Sequence, residues 1–182
     1  MKHPIHFLLF AVLSLAVTLL MAFQAVPLSI DQLTEQSEVV LRGKVLSKSC
    51  QRDPEGRIYT KVELQVDEVW KGTVTEKRFT VVHGGGVLGE KRVKVSGQVE
   101  YAIGEEVVVF LVLNQRGEGV TLSLAQGKFH LWKDDATGAQ YACNSFHGVP
   151  ESKSSPAQTQ GVISQQRLTL SELKQRVDGG RR

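Results

Sequence analysis

The chain has 182 residues, with 22 Lys and Arg against 19 Asp and Glu for a formal net charge of +3. That length holds one domain with a proper core, and not two once the ends are set aside. Basic residues alternate with acidic ones, as in Glu68-Val-Trp-Lys71 and Glu90-Lys-Arg92, so no basic stripe exists to track a nucleic-acid backbone.

The first 25 residues stand apart. Lys2 and two histidines precede Phe7 to Phe23, which is apolar except for Ser14 and Thr18. A charged n-region followed by an h-region is the layout of a secretory signal. The chain is therefore expected to be secreted or periplasmic, with cleavage after Ala25. Phe23 occupies the position where the cleavage site wants a small side chain. An uncleaved anchor stays open for that reason, because the apolar run reaches the short limit of about 17 residues for a spanning helix. Membrane contact is expected only through this segment.

Ser29-Ile-Asp-Gln32 offers a capping box for a short helix ending near Ser37. The β-branched stretch "EVVLRGKVLSKS" then reads as a strand ending near Cys50, and "DPEG", Asp53 to Gly56, has type I turn chemistry. From Ile58 to Val66 the alternation is clean: Ile58, Thr60, Val62, Leu64 and Val66 share one face, and polar side chains the other. Lys71-Gly72 stops this strand. Further strands are expected at Arg78 to His83, Lys91 to Val95, Glu106 to Leu113, Val120 to Ala125, Lys128 to Trp132 and Gln140 to Asn144, separated by Gly-containing turns. Many short strands without βαβ alternation predict an all-β, antiparallel barrel or sandwich over residues 26–149. Residues 150–167, beginning "PESKSSPAQTQ", read as a flexible linker. A C-terminal helix over 168–178 starts at the box Thr169-x-x-Glu172 and carries Leu170, Leu173 and Val177 at helical spacing, so it should pack on the barrel. Residues 179–182 read as a disordered tail.

Two motifs in "TVVHGGGVLGEKRVKV" suggest chemistry and fail in context. His83-Gly-Gly-Gly86 matches an oxyanion-hole loop, but no Gly-x-Ser-x-Gly elbow follows anywhere. Gly84-x-Gly86-x-x-Gly89 matches a dinucleotide fingerprint, but a strand-like alternation follows where a helix is required. The glycines are read as conformational punctuation at a bend. His83, His130 and His147 lack ligand spacing, and Asp134-Asp135 lacks a calcium-loop series, so neither a metal nor any other cofactor is expected. No catalytic residue set emerges, and the chain is not expected to be an enzyme.

Cys50 and Cys143 are the two cysteines, and export would let them pair. Such a bridge closes a long loop and would stabilise by up to about 4–5 kcal/mol. Two separate thiols remain the other reading. On the strand Lys128 to Trp132, Phe129 and Leu131 face one way and Lys128, His130 and Trp132 the other. An outward Trp beside cations suits a protein-binding surface. The alternative is that the C-terminal helix covers Trp132.

"SEVVLRGKVLSK" into "YTKVELQVDEVWKG", then "YAIGEEVVVFLVL", "LAQGKFHLW" and the late helix "LTLSELKQR", resemble netrin-like domains, the OB-type barrel also found in tissue inhibitors of metalloproteinases. The framework is closer still to a group of secreted bacterial proteins of that pattern, some fused to metalloproteases. The resemblance covers about Ser29 to Trp132 plus the last helix, mostly at core and turn positions. It implies an OB-like barrel and, by likeness alone, regulation of a secreted metalloprotease. The inhibitors' mechanism uses an N-terminal cysteine and a dense disulfide network, whereas a mature chain here would begin near Val26 with two cysteines. OB-type barrels also bind single strands of nucleic acid through aromatic side chains; export and an aromatic content of 7% argue against that here. The expected function is thus a non-catalytic, secreted or envelope-associated module that binds a protein or envelope component. A protease regulator and a structural envelope protein are the alternatives.

Overall fold

The computed structural model describes residues 26–148 and 167–180. The expected signal (1–25), the expected linker (150–167) except Arg167, and residues 181–182 lie outside the described residues. Within them the chain is mostly β, with two helices. No helix among the described residues is long and apolar enough to cross a membrane.

Both helices start where their caps predict. In α1 (Ile30–Gln36) the Ser29 hydroxyl accepts from the Gln32 N–H at 3.1 Å while the Ser29 N–H donates to the Gln32 side chain at 2.9 Å. In α2 (Leu170–Gly179) Thr169 and Glu172 make the same reciprocal pair. Each box satisfies two N–H groups that a helix start otherwise leaves open.

The strands are β1 (Val39–Arg52), β2 (Ile58–Lys71), β3 (Arg78–Gly84), β4 (Gly86–Leu88), β5 (Lys91–Val93), β6 (Glu106–Leu113), β7 (Gly119–Thr121), β8 (Lys128–Lys133), β9 (Gln140–Cys143) and β10 (Leu168–Thr169). Eight of them form one sheet in the order β1-β2-β3-β7-β6-β8-β9-β10, and β4 and β5 make a separate hairpin. A further ladder joins β1 to β6, from Val39 opposite Leu111 to Lys44 opposite Glu106. The pairings β1-β2-β3-β7-β6 therefore return to β1.

The sequence predicts antiparallel ladders throughout, and one departs from this: β3 and β7 run parallel, joined at Val81 with Gly119 and Val82 with Val120. The long connection from Gly85 to Glu118 makes this possible, because it lets β6 pair with β1 before the chain reverses into β7. The strand expected over Val120–Ala125 also ends early, at Thr121. Ser123 and Leu124 have φ of 48° and 59°, left-handed backbone that no strand can use, and a short 3₁₀ turn (Leu124–Gly127) follows. The long strand β1 bends at three register shifts against β2. One lies beside Gly43, where a Cβ would stand 2.2 Å from the carbonyl oxygen of Gln65.

The core has two layers, and β6 supplies both. Val107, Val109 and Leu111 join Val39, Leu41, Val62, Leu64 and Val81 in one cluster, together with Val99 and Tyr101 from the irregular stretch before β6. Val108 and Phe110 point the other way, into a cluster with Phe129, Leu131, Trp70 and the inner faces of both helices, among them Leu33, Leu173 and Val177. A strand buried on both faces reads as an unbroken apolar run, as "EVVVFLVL" does. Truncating Phe110 to Ala would cost about 3–5 kcal/mol.

Candidate functional site

The outward residues of β8 alternate as the sequence implies, but each is engaged. The Lys128 ammonium lies 2.6 and 2.7 Å from the two carboxylate oxygens of Glu105, donates to the Glu100 carbonyl at 2.6 Å, and sits 4.8 Å from the Tyr101 ring centroid. His130 Nδ1 is 3.1 Å from the same Glu105. Trp132 belongs to a different group. It is half-buried, stacks on Tyr141 with ring centroids 4.7 Å apart, and has the Arg167 guanidinium over it at 5.8 Å. Arg167 also approaches Tyr141 and reaches Asp134 at 3.2 Å. So the chain just before β10, rather than the C-terminal helix, caps the indole. Lys128 and His130 converge on one carboxylate, and Trp132 does not join them.

Cys50 and Cys143 are free thiols; the expected bridge is not formed. The ladders explain the separation. Cys143 lies opposite His130 on β8, whose partner on β6 is Val107, whose partner on β1 is Gly43. Cys50 lies seven residues further along β1, roughly 23 Å of extended chain at about 3.3 Å per residue.

A different region carries the concave surface. Cys50 faces Thr60 across the β1–β2 ladder, and Thr60 faces His83 across the β2–β3 ladder. Cross-strand partners project to the same side of a sheet, so these three form one row. All three line a cleft of about 530 Å³, whose other wall is the β4–β5 hairpin and the chain after it, including Arg92, Lys94, Gln98 and Glu100. The hairpin lies close because Gly86 has no side chain. A Cβ there would stand 2.4 Å from Thr60 Oγ1 and 2.7 Å from Cys50 Sγ, and its φ of 137° suits glycine alone. The Thr60 hydroxyl donates to the Gly85 carbonyl at 2.8 Å, fastening the bend to β2.

His83 sits at the centre. Burial pushes its imidazole below the ordinary histidine range, the neighbouring Lys48 ammonium adds to this, and the hydrogen bond to Gly84 opposes it. As a neutral ring it donates from Nδ1 to the Gly84 carbonyl at 3.0 Å. Nε2 is buried and has no hydrogen-bond partner among the described residues. No hydrogen bond links Cys50 to His83, since Thr60 stands between them.

A second cleft of about 430 Å³ adjoins the first and shares His83, Gly84 and Gln98 with it. It opens where β3 and β7 part company beyond their short parallel ladder, and it is lined also by Pro54, Tyr59, Val120 and Leu124. Around the two clefts stand exposed apolar side chains: Val87 (54%), Val93 (41%), Val95 (44%) and Leu124 (47%). Among the described residues no three His, Cys, Asp or Glu side chains converge as a metal ligand set.

No protein-family model matches the chain, and no curated protein is similar to it. The site's own geometry therefore carries the functional argument.

The bend was visible in the sequence as a glycine run, but the cleft was not. Its floor is assembled from three strands that only the ladders bring together.

Proposed function

We propose that the protein is an exported, non-catalytic binding module on an OB-type barrel, and that it holds an extended segment of a partner protein along the two joined clefts. The circuit of ladders, closed by the parallel β3–β7 pairing, supports the barrel reading. So do the motifs that resemble netrin-like domains. The apolar leader "FLLFAVLSLAVTLL" supports export into the periplasm or beyond.

One observation carries the binding reading. Two clefts of about 530 and 430 Å³ meet at His83, Gly84 and Gln98, and their rims expose four large apolar side chains instead of burying them. Leu124 adds to it: this exposed leucine is held in left-handed backbone, a conformation that costs energy and persists where the surroundings impose it.

The test is capture of partners from the envelope fraction by tagged wild-type protein and by a Val95→Asn/Leu124→Asn variant. A stoichiometric partner lost in the variant supports the groove. A partner retained in full by the variant rejects it.

A further inference from the structure

We infer that the occupant of the groove is an acidic extended peptide segment, its carboxylates over the first cleft and an apolar side chain in the second; this rests on reading the joined clefts as one groove. The argument is charge complementarity. Lys48, Arg92 and Lys94 line the first cleft, against the single acid Glu100. Several cations elsewhere are matched to carboxylates. Arg42 pairs with Glu68 and Glu106, Lys61 and Arg116 with Glu118, and Lys128 with Glu105. Arg92 and Lys94 have no hydrogen-bond or ion-pair partner among the described residues, and both are exposed. Lys48 donates to the Tyr101 carbonyl at 2.6 Å, which fixes the ammonium beside the cleft without neutralising it.

The second cleft is different in kind. Its charges are self-compensated, with Arg57 on Asp53 and Glu55 and with Arg116 on Glu118. What remains for a ligand there is largely apolar, Pro54, Tyr59, Val82, Val120 and Leu124, beside the uncharged polar Thr121 and the shared His83 and Gln98. The groove is thus polarised along its length, cationic at the hairpin end and apolar at the β7 end. A concave surface of one sign raises the local concentration of opposite charge and speeds its capture. An extended peptide suits the shape, since its alternate side chains can enter successive pockets while its backbone crosses the Gly84 and Gln98 saddle.

The experiment pans a random phage-displayed peptide library over the full chain. Selected peptides are then synthesised, and their binding is measured by fluorescence anisotropy on wild type, on Arg92→Glu/Lys94→Glu and on Leu124→Asn. The two charge reversals are at exposed positions, and asparagine tolerates left-handed backbone better than leucine does, so all three proteins should fold. Circular dichroism checks this. The expected result is a pool enriched in Asp and Glu with an apolar residue nearby. Affinity should fall at least about tenfold in the charge-reversal variant and weaken with added salt. Neutral peptides that lose affinity on Leu124→Asn but ignore the charge reversal would overturn the acidic preference and leave the groove standing. Peptides indifferent to both variants would overturn the groove as well. A labelled single-stranded oligonucleotide that binds more tightly than any selected peptide, and is lost on charge reversal, would replace the peptide with nucleic acid.

Discussion

Cys50 and His83 face one cleft from either side of Thr60, at adjoining positions of the β1–β2 and β2–β3 ladders. Cys143, by contrast, is buried on β9 and burial pushes its thiol up. Alkylation of the native protein should therefore modify Cys50 first and Cys143 only on unfolding. Intact-mass spectrometry reads this directly as one adduct before denaturant and two after. No adduct even after unfolding without reductant would show that the two are joined.

The hairpin wall depends on Gly86. Gly86→Ala should destabilise by about 2–3 kcal/mol, because the new methyl collides with Thr60 and Cys50 and the backbone is strained. Gly89→Ala is the control, since its φ of 60° is also left-handed but open space surrounds it. It should cost about 1 kcal/mol. Urea denaturation separates the two, and equal losses would mean that close packing at Gly86 is unimportant.

Glu118 sets an acid limit. Burial pushes its carboxyl up, but hydrogen bonds from Asn114, Lys61 and Arg116 outweigh that and hold it at about 2. The charged form is favoured by the fold, so its contribution is complete above the unfolded glutamate value of about 4.3 and is lost as pH falls from there towards about 2. Glu118→Gln should cost about 2 kcal/mol at pH 7 and little at the acid end of that range. A loss that does not change with pH would show that the carboxylate's charge is not what matters.

Glu105 anchors Lys128, His130 and the Ala102 N–H at once, and the side chains of both Glu105 and Lys128 are only 11% exposed. Glu105→Ala strands a nearly buried ammonium and should cost about 3 kcal/mol. Lys128→Met combined with Glu105→Leu should cost much less than the sum of the single changes. Thermal unfolding of the cycle measures the coupling; additive losses would contradict it.

Local signals were legible in this sequence and non-local ones were not. The two capping boxes located both helices, the alternation from Ile58 to Val66 gave the inner face of β2, and the apolar run of β6 marked a strand without showing that it serves two core layers. The strands β4 and β10, three and two residues long, are too short for any periodicity to register. The parallel β3–β7 ladder joins segments far apart in the chain, and nothing about Leu124 as a residue type announces its left-handed backbone. The site divides in the same way. The glycine bend was read correctly as conformational, with Gly85 and Gly86 both at positive φ. Its consequence, a cleft over Cys50, Thr60 and His83, follows only from the register of three strands. The outward faces of Lys128, His130 and Trp132 were legible too, whereas Glu105, Tyr141 and Arg167, which occupy them, come from elsewhere in the fold.

The most direct measurement of the groove is site-specific photo-crosslinking in the native envelope, with a benzoylphenylalanine replacing Gln98 in one protein and Trp132 in another. Gln98 lies where the two clefts meet, and Trp132 lies on β8 under Arg167. A partner protein cross-linked from position 98 and not from position 132 is the expected result. A partner captured only from position 132 would contradict the account and return the binding face to β8.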